Sequence, residues 1–216
     1  MRNKFIKTLA NKSSISHRKL VHGVGINDAQ YVTQPRVDGV QQLCPYYYRW
    51  SEMLKRCYSS VERHRHPTYI GCTVCDEWLT FSKFKDWMKK QEWNGMHLDK
   101  DIIKIGNRVY SPETCRFVSG GVNLLLTNRS RFRGKYPTGV SRHPVSGKFI
   151  SSISIDGKRI TIGRFDNQED AESAYLLRKH DNIILIASTQ KDKAIKFGLI
   201  AHARALLAQK NRNIKF

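Results

Sequence analysis

The chain has 216 residues, 40% of them hydrophobic, and carries 38 Lys and Arg against 18 Asp and Glu, a formal net charge of +20. That length buries a core without staples, and no apolar run approaches the ~20 residues of a bilayer span, which excludes a transmembrane reading. The cations are spread along the whole chain rather than gathered on one amphipathic helix, which argues against a membrane-surface anchor and for a polyanionic partner: each Lys or Arg near a phosphate releases condensed counterions.

Residues 1–42 are basic, free of acids until Asp28, and mix Gly, Asn, Asp, Gln and Pro with little periodicity. They read as a flexible basic arm with a few extended contacts. Met1 to Lys12 has neither a continuous apolar segment nor a clear cleavage site, so secretion is not expected. Ser13, Ser14 and Ser16 keep an organellar presequence open as the other reading. Five cysteines without a secretory signal imply reduced thiols and a cytoplasmic setting.

Residues 43–128 form an aromatic-rich unit. Tyr47, Trp50, Leu54, Cys57 and Tyr58 recur at three- and four-residue steps, so Tyr46 to Tyr58 is a helix with one buried face. A turn through His64 to Pro67 leads to Gly71–Trp78, and Phe81, Phe84, Trp87 and Met88 make a second helical stripe. Met96 to Ile102 reads as extended, Gly106 to Val118 as a loop and strand, and a helix starts near Gly121, a ββα outline. Residues 129–135 are a basic linker whose Arg129, Arg131 and Arg133 suit a phosphate backbone.

Residues 136–182 read as three short strands and a helix. Asp156-Gly157 joins two alternating runs, Gly147 to Ile155 and Lys158 to Phe165, and a turn with Pro144 and Gly147 precedes them. Asn167 offers a helix N-cap, and Ala171, Ala174 and Tyr175 follow at helical spacing. In residues 183–216 a short apolar run, Ile183 to Ala187, precedes a helix from Lys191 to Lys210. Ala194, Phe197, Ala201, Ala205 and Ala208 line its packing face. Its basic face suits phosphate contacts or a homodimer surface.

The middle unit carries Trp50-Ser-Glu-Met-Leu-Lys-Arg-Cys-Tyr58, Tyr69-Ile-Gly-Cys-Thr-Val-Cys-Asp-Glu-Trp78, Phe81-Ser-Lys-Phe84, Leu98-Asp-Lys-Asp101 and Tyr110-Ser-Pro-Glu-Thr-Cys115. In these it resembles the HNH homing-endonuclease-like proteins of phages and mobile elements. That resemblance implies DNA hydrolysis by a His general base and one divalent metal such as Mg²⁺, with a middle Asn that fixes the loop around the base. By spacing, Asp99 and Asn123 fall on the metal-ligand positions, Lys100 on the base position and Thr114 on the middle position. A solvated Lys is protonated at neutral pH and donates rather than accepts, so the site reads as altered in, or released from, catalysis. His97, two residues before Asp99, is a substitute base that strand alternation places on the face of Asp99. Separately, Cys72-x-x-Cys75 has zinc-ligand spacing, and Cys57 and Cys115 would complete a structural Zn²⁺ site; the alternative is four small buried hydrophobes.

Thr138-Gly-Val, Gly147-Lys-Phe-Ile, Ile162-Gly-Arg-Phe165 and the Ala-rich helix that follows resemble the three-stranded DNA-binding domain of plant ethylene-response factors, the apetala-two type, which lays its sheet in the major groove. The resemblance implies groove-facing roles for Ser141, His143, Ser152, Ser154, Arg159 and Thr161, with Arg142 and Lys148 adding cations to the same stretch. Several family arginines are serine here, so the plant base preference does not transfer. The expectation is an α+β chain: an HNH-like ββα unit with flanking helices, then a three-stranded antiparallel sheet packed on one helix, then a C-terminal helix. It would bind double-stranded DNA and no membrane, in the host cytoplasm if phage-encoded. Active metal-dependent cleavage is one alternative, and an RNA-binding or structural interaction protein is another.

Overall fold

A computed structural model describes residues 5–126 and 135–213. Helix and sheet are mixed, and the chain divides into two compact units: Met1–Asp101 with Gly106–Val118, and Ile102–Ile105 with Ser119–Phe216.

The first unit begins with a short helix, α1 (Lys12–Ser16), capped by the Asn11 side chain, which accepts the Ser14 N–H at 2.7 Å. A hairpin follows, β1 (Arg36–Val37) and β2 (Val40–Gln41). The expectation of a flexible arm over residues 1–42 is corrected here for the described part, residues 5–42. Ala29 and Tyr31 belong to the hydrophobic core, the Val32 N–H donates to the Thr8 carbonyl at 2.9 Å, and the Phe81 N–H donates to the Ile26 carbonyl at 3.0 Å. The Arg18 guanidinium donates to the carbonyls of Asn27, Ala29 and Tyr31 at 2.9, 2.5 and 3.0 Å. A polar segment holds to the unit through its backbone.

Helix α2 (Pro45–Tyr58) starts on a proline at its first turn and buries Trp50, Leu54 and Cys57, as the three- and four-residue spacing foresaw, together with Met53, which it did not. Ser59 caps α3 (Ser60–Arg65) by accepting the Glu62 N–H at 3.4 Å. Strand β3 (Thr73–Val74) leads to α4 (Phe81–Met88), which buries Phe81, Phe84 and Met88. The Trp50 indole N–H donates to the Trp78 carbonyl at 2.7 Å, tying α2 to the turn before α4. Strands β4 (His97–Asp99), β5 (Val109–Tyr110) and β6 (Arg116–Val118) do not form one sheet. β4 pairs antiparallel with β6, while β5 pairs parallel with β3.

In the second unit α5 (Gly120–Leu126) is capped by Ser119, whose hydroxyl accepts the Val122 N–H at 3.2 Å. Strands β7 (Val140–Arg142), β8 (Phe149–Ile155) and β9 (Lys158–Phe165) make an antiparallel sheet in the order β7-β8-β9. Asp156 and Gly157 both have positive φ and turn β8 into β9. Helix α6 (Gln168–Ser188) covers one face of the sheet. Asn167 caps it, accepting the Asp170 N–H and donating its own amide to the Asp170 carboxylate, both at 2.8 Å. α6 runs unbroken to Ser188, so Ile183 to Ala187 is its last turns rather than a separate run, and a boundary at residue 182 falls inside it.

Helix α7 (Lys193–Asn213) packs antiparallel to α6 as a helical hairpin. Its buried face is Ile195, Leu199 and Ala203, whereas Phe197, Ala201, Ala205 and Ala208 are exposed. The alanine stripe expected to pack therefore faces solvent. Both stripes recur at helical spacing, and the one with larger side chains buries more apolar area. Gly198 lies on the packed side, where a Cβ would press into the Ile102 carbonyl. No helix among the described residues is long and apolar enough to cross a membrane.

Candidate nucleic-acid interface

Strand register decides which side chains of the three-stranded sheet face α6 and which face away. Ile153 is buried toward the helix, paired with Ile160. Alternation then puts Phe149, Ser151 and Ile155 on that covered face and Ile150, Ser152 and Ser154 on the open one. Cross-strand partners follow suit: Arg159 stands opposite Ser154, Thr161 opposite Ser152, Arg164 opposite Ile150, and Ser141 also opposite Ile150. The open face is thus a floor of hydroxyls with a guanidinium toward each end of β9.

Of the residues singled out from sequence, Ser141, Ser152, Ser154, Arg159 and Thr161 share this face. Ser152 is only 6% exposed. Its hydroxyl accepts the Arg159 Nε–H at 3.1 Å, so it sits beneath the guanidinium and orients it instead of presenting itself. Arg142 belongs to the other face, opposite Phe149. There it lies over the Phe149 ring at 5.9 Å and donates to the Gly147 carbonyl at 3.0 Å. His143 closes the β7–β8 turn, its Nδ1 accepting the Ser146 N–H at 3.1 Å. Lys148 pairs with Asp166 at 3.0 Å, a pair exposed enough to add little stability. Arg129, Arg131 and Arg133 lie outside the described residues. Arg164 was not among the expected residues, because the register shift between Ser151 and Ser152 breaks the simple alternation that would have revealed it.

The positions singled out for nuclease chemistry are arranged differently. On β4 His97 is exposed, Leu98 buried and Asp99 half-buried, so His97 and Asp99 share a face by alternation. Asp99 lies in the first unit and Asn123 in the second. The Asp99 carboxylate accepts the Asp101 N–H at 2.7 Å. Lys100, on the base position, has a side chain 8% exposed and donates to the Asp101 carboxylate at 2.7 Å and to the Asn107 carbonyl at 2.9 Å. Asn107 returns its amide to the carbonyls of Lys100 and Val109 at 2.9 and 2.7 Å, and the Thr114 hydroxyl donates to the same Val109 carbonyl at 2.8 Å. Lys100, Asn107 and Thr114 together fasten the base of the 101–106 loop. Asn107 carried no periodic signal, because its partners come together only once the loop closes.

All five cysteines are free, and among the described residues no three His, Cys, Asp or Glu side chains form a group that could hold a metal ion. Cys57, Cys72 and Cys115 are buried and Cys75 partly so. Burial raises the Cys72 and Cys75 thiols and pushes those of Cys57 and Cys115 up to about 12. A thiol whose pKa rises on folding contributes stability fully below its unfolded value of about 8.5 and loses it as pH climbs toward the folded value. Thermal stability should therefore fall from about pH 9 upward, and Cys57→Ala with Cys115→Ala should make that fall shallower. An unchanged slope in melts recorded against pH would contradict this account of the two thiols.

No family model matches the chain, and no curated protein or solved structure matches it either.

Proposed function

We propose that this chain is a duplex-DNA-binding protein of the phage HNH homing-endonuclease-like type, in which the open face of β7–β9 reads the major groove and dispersed cations supply sequence-independent affinity. One arrangement carries the reading: a sheet closed on one side by α6 presents on the other Ser141, Ser154, Arg159 and Thr161. Hydroxyls and guanidinium groups are the side chains that pair with base edges in the major groove, and a net charge of +20 supports attraction to phosphates. Lys100, committed to Asp101 and Asn107, supports binding without a base at the expected position rather than cleavage.

Fluorescence anisotropy with a labelled duplex, titrated at several salt concentrations and competed with single-stranded RNA, tests this. If six to ten phosphates are contacted, affinity should drop about 10³- to 10⁵-fold between 50 and 200 mM salt, and duplex DNA should compete better than RNA. Preference for RNA, or no duplex binding at low salt, would refute the reading. Strand breaks that appear with Mg²⁺ and vanish in Asp99→Ala would establish the cleaving alternative instead.

A further inference from the structure

Arg164 is exposed on the open face, opposite Ile150 and in line with Ser141 across the sheet. Among the described residues its guanidinium has no ion pair or hydrogen-bond partner, whereas the other two cations of this stretch outside β9 are occupied: Arg142 on the Gly147 carbonyl and Lys148 on Asp166. Arg159, at the far end of β9, is tethered through Nε to Ser152, which leaves its two terminal nitrogens to point outward as a fork. Five residues of strand at ~3.3 Å each separate the two arginines by roughly 16 Å, less a little for the bulge. Along a duplex with a rise of about 3.4 Å per base pair, that is four to five base pairs. Between them on β9 lies the Thr161 hydroxyl, while Ser154 stands opposite Arg159 and Ile150 opposite Arg164. Hydroxyls accept from or donate to any base, so they discriminate weakly, while a guanidinium forks onto guanine O6 and N7.

We infer that Arg164 is a second base-reading residue, and that the target contains two guanines about four to five base pairs apart, one read by Arg159 and one by Arg164, across a tolerant centre. Ser152 is the positioning residue for Arg159. This rests on the duplex-DNA reading above and adds to it the form of the preferred site.

Selection from random duplex DNA with the full chain and with its Arg164→Ala, Arg164→Lys and Arg159→Ala variants tests the inference. Arg164 is exposed, so the variants should melt like the parent. The parent should enrich two guanines at the stated spacing. Arg164→Ala should lose preference at one of them, with about 10- to 100-fold weaker binding to the selected site, and Arg159→Ala at the other. Arg164→Lys should fail to restore it, since an ammonium makes no fork. Uniform weakening on all sequences in Arg164→Ala would mark a phosphate contact and overturn the inference, as would loss at the same base pair in both alanine variants. Failure of the parent to enrich any duplex would strike the underlying reading itself.

Discussion

Gly139→Ala is expected to destabilise the second unit by about 2–6 kcal/mol and to remove duplex binding along with it. Gly139 has a φ of 80°, a conformation that costs a residue with a Cβ about 1–3 kcal/mol. A Cβ there would also press into the ring of Tyr175 on α6, and overpacking of this kind costs about 1–3 kcal/mol more. The glycine sits immediately before β7 and its carbonyl accepts the Ser152 N–H at 2.8 Å, so the strain lands where β7 joins the sheet. Urea unfolding of the single variant, of Tyr175→Ala and of the pair separates the two contributions. Removing the ring should recover the overpacking share and leave the backbone share. Gly139→Ala as stable as the parent would mean that helix and sheet do not meet as described.

Lys100→Met is expected to cost about 2–4 kcal/mol. Removing one partner of a fully buried ion pair costs about 3–5 kcal/mol, but Asp101 is 41% exposed, so water screens part of that loss. The Asn107 carbonyl also loses its 2.9 Å donor, at about 1–3 kcal/mol where the group stays dry. The same substitution distinguishes structural from chemical roles for the position. Below its lowered melting temperature the variant should bind duplex DNA as the parent does. Chemical denaturation together with anisotropy gives both readouts. A variant as stable as the parent but altered in its action on DNA would return Lys100 to the chemistry.

Large apolar side chains at regular spacing made α2 and α4 legible in the sequence, because Trp50, Leu54, Cys57, Phe81 and Phe84 leave a periodic trace whatever their partners. Turn chemistry did the same for the sheet: Asp156-Gly157 at positive φ and the Asn167 cap bracket β9 and the start of α6. Local signals of that kind precede any tertiary contact. The packing of residues 5–44 left no such trace, since it depends on backbone hydrogen bonds and on Arg18 reaching three carbonyls. In α7 two apolar stripes compete at the same period, and only the bulk of Ile195 and Leu199 against Ala201 and Ala205 decides between them.

The candidate interface was legible in outline and not in detail. Ser154, Arg159 and Thr161 follow from alternation alone. Ser152 obeys the same alternation, yet a side chain from the neighbouring strand covers it, which no one-strand pattern reports. Arg164 needed the register shift at Ser151 and Ser152, and Arg142 turned to the covered face because β7 pairs Arg142 with Phe149. Lys100 shows the limit of motif spacing: the position in the sequence suggested a missing base, and Asn107, the partner that ties it to the loop base, lies seven residues away across a closed loop.

Chemical-shift mapping of the isotope-labelled full chain on adding a short duplex at low salt addresses directly whether the uncovered side of the β7–β9 sheet grips the double helix. The Ser154 and Thr161 amides and the side chains of Arg159 and Arg164 are expected to shift, while Ile153 beneath α6 and the buried Ala171 and Leu176 on α6 hold their positions. Shifts confined to the α6 side, or none at all, would contradict that grip.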